Sequence, residues 1–251
     1  MKSPATRWMM LWMLSLPACV NSQLAPGKTP AEAASINVQL AIEYMKLGKL
    51  AIAREFIEKA IKQDPRSPNV QSTAGLIYER LDEMPKAESA FATAAQLGKG
   101  DPNILNNYAG FLCRTGKAPA GEKLFAEVAR NPLYQTPEVA LVNAGVCDRD
   151  AGDDVDAEKF FQRALVVRQN LPEALLQLGN LAFDRKEYPQ ALELAQRYLS
   201  ANPASPDILW LALRAQRKLG DATAAAGFAR RLQSEFPDSE QAQRMRSGVD
   251  R

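Results

Sequence analysis

Histidine is absent from all 251 residues. That absence removes imidazole general bases, Ser-His and Cys-His nucleophile pairs and His-ligated metal sites together. There is no C-x-x-C pair for redox chemistry and no Gly-rich phosphate loop. An excess of one charge is also missing: 31 Lys and Arg against 29 Asp and Glu leave a net charge of +2. No basic run of the kind that grips nucleic acid appears. The four aspartates of the run DRDAGDD, Asp148, Asp150, Asp153 and Asp154, superficially suggest a cation loop. The twelve-residue calcium pattern fails there because its terminal Glu is missing, so the run reads as a solvated turn. Carboxylate and cysteine chemistry are all that remain, and neither forms a motif. The sequence therefore predicts no enzyme, no cofactor, no metal, no small-molecule substrate and no nucleic-acid partner.

What is present is apolar and helical in character. Apolar residues make up 46% of the chain while aromatics supply only 7%. With alanine abundant, that composition suits helix packed on helix.

The N-terminus reads MKSPATRWMMLWMLSLPAC. Lys2 and Arg7 form a positive leader, and Trp8 to Leu16 is apolar except for Ser15. Nine residues are too few to span a bilayer, but they match the apolar region of a signal peptide. Leu16, Ala18 and Cys19 resemble a bacterial lipobox, with Pro17 where Ala or Ser is usual. The resemblance implies cleavage after residue 18 and lipidation of Cys19; the alternative is an ordinary signal peptide that leaves a free thiol. A single acyl chain holds a protein only marginally at a membrane, whereas several anchor it stably. Val20 rather than Asp follows the cysteine, which by resemblance to enterobacterial sorting implies the periplasmic face of the outer membrane. Residues 19–33 show no helical periodicity and read as a flexible tether.

From residue 34 to 251 the chain is periodic. Small residues recur at Ala41, Gly75, Ala109, Gly145 and Gly179, with Leu213 in the sixth place, at steps of 34, 34, 36, 34 and 34. Twelve residues after each come Ala53, Ala87, Gly121, Ala157, Ala191 and Ala225. Four further on are Ile57, Phe91, Phe125, Phe161, Ala195 and Ala229. Small residues let antiparallel helices approach, and large ones fill the space beside them. Gly48, Gly116, Gly152 and Gly220 mark turns within units, and Pro68, Pro102, Pro137, Pro172 and Pro206 mark unit starts. This pattern resembles the tetratricopeptide repeat (TPR), with the segment Leu40 to Pro65 near its consensus. The resemblance implies an all-α fold, a right-handed α-solenoid of about six helix-turn-helix units starting near 34, 68, 102, 138, 172 and 206. Leu213 departs from the pattern, as a terminal unit facing solvent is free to do. The two extra residues fall around Asn131 to Pro137 and lengthen one turn.

Family resemblance implies a concave groove lined by the first helix of each unit. Its expected lining includes Ser35, Val38, Ile42 and Met45 from unit one and Asn69, Ser72, Leu76 and Glu79 from unit two. Val38, Ile42, Met45 and Leu76 form an apolar strip for a partner, unless the tether or a neighbouring helix covers them. At the other end, Leu176, Asn180, Phe183, Trp210, Arg214 and Arg217 either anchor a partner or pack a C-terminal capping helix.

Cys113 and Cys147 remain. The repeat frame puts both late in adjacent first helices. In an oxidising periplasm a disulfide between them would staple two units where the spacing breaks; two buried thiols are the alternative. The leader, the tether, six units and the segments Asn107 to Cys113 and Asn143 to Cys147 together resemble the PilF/PilW family of type IV pilus lipoproteins. That resemblance implies a pilotin: a carrier that binds secretin subunits, travels with them to the outer membrane and promotes their multimerisation. Rival readings are a TPR lipoprotein scaffold for cell-wall enzymes or outer-membrane protein assembly, and an enzyme with a hidden site.

Overall fold

A computed structural model describes residues 29–248, which form thirteen helices and no strand. Cys19 and most of the expected tether lie outside them. Six antiparallel pairs follow in order: α1 (Pro30–Lys46) with α2 (Leu50–Gln63), α3 (Pro68–Arg80) with α4 (Met84–Gly98), α5 (Pro102–Arg114) with α6 (Ala118–Arg130), α7 (Pro137–Asp150) with α8 (Asp154–Val167), α9 (Pro172–Asp184) with α10 (Tyr188–Ala201), and α11 (Pro206–Leu219) with α12 (Ala222–Glu235). A short α13 (Glu240–Ser247) closes the C-terminal end against α11 and α12.

All six first helices begin at proline, whose missing N–H costs nothing in the first turn. Thr29, Ser67, Asp101 and Ser205 cap four of them by accepting a hydrogen bond from a first-turn backbone N–H. At the N-terminus this moves a boundary. α1 starts at Pro30, so residues 30–33 belong to the solenoid and not to the tether. Thr29 and Glu32 form a reciprocal capping box there, with bonds of 3.2 and 2.7 Å. The turns inside units need a left-handed residue. Gly48, Gly116, Gly152 and Gly220 supply it in four units, and Asp82 and Lys186 take the same conformation in the others.

The repeated small positions form the seam of each pair. Ala41, Ala109, Ala53, Ala87, Ala157 and Ala191 are fully buried. A Cβ built on Gly75 would lie 2.8 Å from the Phe91 ring, and one on Gly145 would lie 2.6 Å from Phe161. Leu213 does not relax into solvent. It is 1% exposed and sits in a core cluster with Ala229, which takes the place of the Phe of units two to four. A large residue on the first helix and a small one on the second keep the volume constant, and α13 covers the end. The extra residues between units three and four lie in the connection 131–136, as the spacing predicts.

Unit contacts run sideways as well. The first helices α1, α3, α5 and α7 pack in series, as do α9 and α11. Apolar cores therefore follow one another along the solenoid rather than merging in one centre.

The seam yields a paired expectation. Gly145→Ala, which pushes a methyl into the Phe161 ring, lowers unfolding stability by about 1–3 kcal/mol. Gly227→Ala, helical and with nothing within 4 Å of the added Cβ, raises it by up to about 1 kcal/mol. Urea titration of both variants checks the contrast.

Candidate protein-binding groove

Three depressions lie along the packed first helices. At unit one, Ser35, Val38, Ile42 and Asn69 line a depression of about 390 Å³. Across units two to four, Leu76, Asn106, Asn107, Gly110, Asn143 and Val146 line another of about 310 Å³, with Phe125 and the two cysteines also in its wall. Leu76 and Arg114 continue into a third, of about 580 Å³, shared with Glu79, Arg80 and Met84.

The apolar strip expected at unit one is only partly available. Val38 is 6% exposed and belongs to the unit-one core, while Ile42 and Met45 are half-buried against it. Small neighbours at Ala34 and Ala41 draw the helix in and pull these side chains into the packing. Leu76 is not gathered with them but opens on the other two depressions. Glu79 is engaged by Arg114, whose Nε and Nη2 donate to its carboxylate at 2.6 and 2.9 Å.

At the far end, Trp210 is 6% exposed and belongs to the core cluster of the last two units. The Arg214 guanidinium lies 4.2 Å from the Phe183 ring centre and 5.8 Å from that of Trp210, a cation–π arrangement. Arg217 is exposed.

Cys113 and Cys147 are bonded, with Cα atoms 5.4 Å apart. The bond joins α5 to α7 beneath the central depression. Gly121 shows how the site is fitted. A Cβ there would overlap the Cys113 sulfur and come within 2.8 Å of the Ala109 carbonyl oxygen. Five units carry alanine at this position and the disulfide unit carries glycine, a signal already visible in the repeat alignment.

Sequence reasoning missed Asp148. It is 5% exposed rather than part of a solvated turn, and its Oδ2 has no hydrogen-bond partner. Burial first, then the charges of Glu122, Asp153 and Asp156, push its carboxyl up to about 7. The rest of the run behaves as expected: Asp153 caps α8 by accepting from the Asp156 N–H at 3.0 Å, and Asp150 is exposed. Among the described residues no cluster of His, Cys, Asp or Glu is placed to hold a metal, and no helix is long and apolar enough to cross a membrane.

A tetratricopeptide repeat family model matches residues 38–102 and 176–240, together just over half of the chain. The crystal structure of PilW, a widely conserved type IV pilus biogenesis factor, superposes with a TM-score of 0.72 at 30% identity, covering 84% of this chain and 97% of that one. The chain belongs to the PilF/PilW group of tetratricopeptide repeat proteins. The type IV pilus assembly protein PilF of Pseudomonas aeruginosa is 23% identical over 233 residues, 91% of this chain and 92% of the relative. Its structure superposes with a TM-score of 0.69 at 21% identity, over 87% of this chain and 99% of its own. The chain is thus a homologue of type IV pilus biogenesis factors, with its six units aligned nearly end to end.

Two outcomes follow from this geometry. The folded Asp148 carboxyl titrates near 7 against an ordinary 3.8. Between those values the folded state holds a proton that the unfolded chain has lost, so stability falls as pH climbs from about 4 to about 7 and then levels off. Asp148→Asn removes that slope: its melting temperature gains on the wild type between pH 4.5 and pH 8, and a constant difference would refute the assignment. Separately, the Cys113–Cys147 bond closes a loop with a sequence separation of 34. Its reduction, or Cys147→Ser, lowers unfolding stability by about 4 kcal/mol in the chain-entropy model. Intact-mass measurement under non-reducing conditions should show two hydrogens fewer than the reduced chain.

Proposed function

We propose that the chain is a pilotin: a non-catalytic lipoprotein that binds secretin subunits in the periplasm, carries them to the outer membrane and promotes their multimerisation. The observation that carries this reading is the near end-to-end match to PilW, which leaves no part of that factor's chain without a counterpart here beyond a few per cent. The lipobox at Leu16 to Cys19 supplies the anchor, and Val20 after the cysteine favours the outer membrane. The concave face of the solenoid supplies the holding surface. A lipid and a groove on one chain are the minimum for a carrier, since the first fixes destination and the second fixes cargo.

Cys19→Ser separates the two roles. The variant should fractionate as a soluble periplasmic protein, still capture secretin from detergent extracts, and leave secretin multimers depleted from the outer membrane. Recovery of cell-wall synthases or outer-membrane assembly factors in place of secretin, by mass spectrometry of the same pull-down, would overturn the pilotin reading in favour of a general scaffold.

A further inference from the structure

The two ends of the solenoid are finished differently. A stack of repeats needs a polar outer face at each end. At the C-terminal end α13 supplies one: Ala242 is buried in the core of the last units, while Glu240, Gln243, Arg244 and Arg246 are exposed. Among the described residues no element precedes α1. Its outer side carries Ile36, Leu40, Tyr44 and Leu47, spaced four, four and three residues apart, which sets them in one stripe along the helix. In units two to six the residues in the register of Ile36 are Val70, Ile104, Ala140, Ala174 and Ile208, and none is more than 5% exposed. Val70 shares a core cluster with Ile57 and Ala60, Ala140 with Val128, and Ile208 with Ala195 and Tyr198. Each of these is covered by the unit before it. Unit one keeps the same surface with no preceding unit among the described residues: Leu40 is 37% and Leu47 66% exposed, and Ile36 and Tyr44 are half-buried.

The side chains around the stripe indicate what covers it. Tyr44 stacks on Phe56 of α2 with ring centres 5.4 Å apart, and the Lys59 ammonium lies 5.0 Å from the centre of the Phe56 ring. Leu47 stands at the turn between α1 and α2, with exposed Lys46 and Lys49 on either side. Glu43, an acid beside the stripe, is paired with Lys46 at 2.8 Å. An apolar stripe edged by aromatic rings and lysines is the composition of a helix that lies in a membrane surface, where lysines are drawn to anionic headgroups. The length of chain upstream agrees. Ten residues, 19–28, separate Cys19 from Thr29. They are too few to form another helix pair over α1, and fully extended they reach only about 35 Å. A lipid on Cys19 therefore holds unit one closer to the bilayer than any other unit.

We propose that the outer side of unit one is a second membrane contact: Ile36, Leu40, Tyr44 and Leu47 enter the headgroup region of an anionic phospholipid surface, with Lys49 and Lys59 against its phosphates. Its assignment to the membrane that holds the anchor rests on the lipoprotein reading of Cys19; the face itself rests on the register and exposure of α1. Docked in this way α1 lies along the bilayer, and units two to six stack away from it.

The test uses the mature chain with Cys19→Ser, purified without lipid, and vesicles of phosphatidylethanolamine and phosphatidylglycerol. The chain should float with the vesicles, and replacing phosphatidylglycerol by a neutral lipid should weaken the binding severalfold. Leu40→Asp with Leu47→Asp, both at exposed positions, should lower partitioning about tenfold or more with the melting temperature unchanged. An environment-sensitive dye on Leu47→Cys should shift to the blue on adding vesicles, while the same dye on Val166→Cys, 84% exposed at the end of α8, should not. Equal flotation of the double variant, or no flotation and no shift at residue 47 at millimolar lipid, overturns the inference. So does a dimer in sedimentation equilibrium that the double variant disperses, seen in place of vesicle binding, which would assign the face to a second copy. Secretin capture by the double variant should be unchanged; its loss with flotation intact gives the face to secretin and overturns the membrane contact. The anchor is read separately from the intact mass of the native chain extracted from membranes: an unacylated Cys19 overturns the lipoprotein reading, and flotation of the lipid-free chain then still upholds the docking face.

Discussion

Phe91 and Phe161 lie flat against Gly75 and Gly145, so close that a methyl group at either glycine would enter the ring. Everything else in the solenoid depends on this approach. Where two helices of a unit cross over a residue without a side chain, the second helix can bring a full aromatic ring into the first. The pair then buries apolar area that neither helix hides alone. Ala41 and Ala109 achieve a looser version with Ile57 and Phe125. In unit five the gap at Gly179 is filled from the next unit by Leu211. The seam is thus conserved in volume rather than in residue type, which is why Leu213 opposite Ala229 is another solution and not a defect.

Closed pairs still have to be held in register with one another, and the fastenings recur at equivalent places. Glu79 pairs with Arg114 between units two and three, Cys113 bonds to Cys147 between three and four, and Arg149 pairs with Asp184 between four and five. Arg214 on the Phe183 ring does the same between five and six. The ion pairs are partly solvated and contribute about 0–1 kcal/mol each. The covalent link is far stronger, and it falls beside 131–136, the longest connection between units. A groove formed by first helices fastened in this way is set before any partner arrives, which lowers the ordering cost of binding.

The architecture was legible because the repeat states it six times: seam residues, prolines at helix starts and the extra residues at 131–136 all appear in the sequence in their structural places. The start of α1 was obscured because Thr29 to Glu32 is a local capping signal with no periodic partner upstream. The groove was less legible. Helix-position rules place Val38 and Ile42 on the concave face, but they cannot tell how far a neighbouring helix swallows them. Asp148 was hidden for a related reason. Read by composition, DRDAGDD is a hydrophilic turn; read by register, Asp148 follows Cys147, and the bond to Cys113 holds that end of α7 against its neighbours with the carboxyl inside. The disulfide was legible from Cys113 and Cys147, both late in adjacent first helices; Gly121, where the other five units have alanine, is a second signal that the seam reading did not use.

An exposed apolar strip invites self-association. The central depression avoids that difficulty. Asn107 donates to Ser72 and Asn143 to Asn106 across neighbouring units, so its lining is amide-rich rather than an apolar strip.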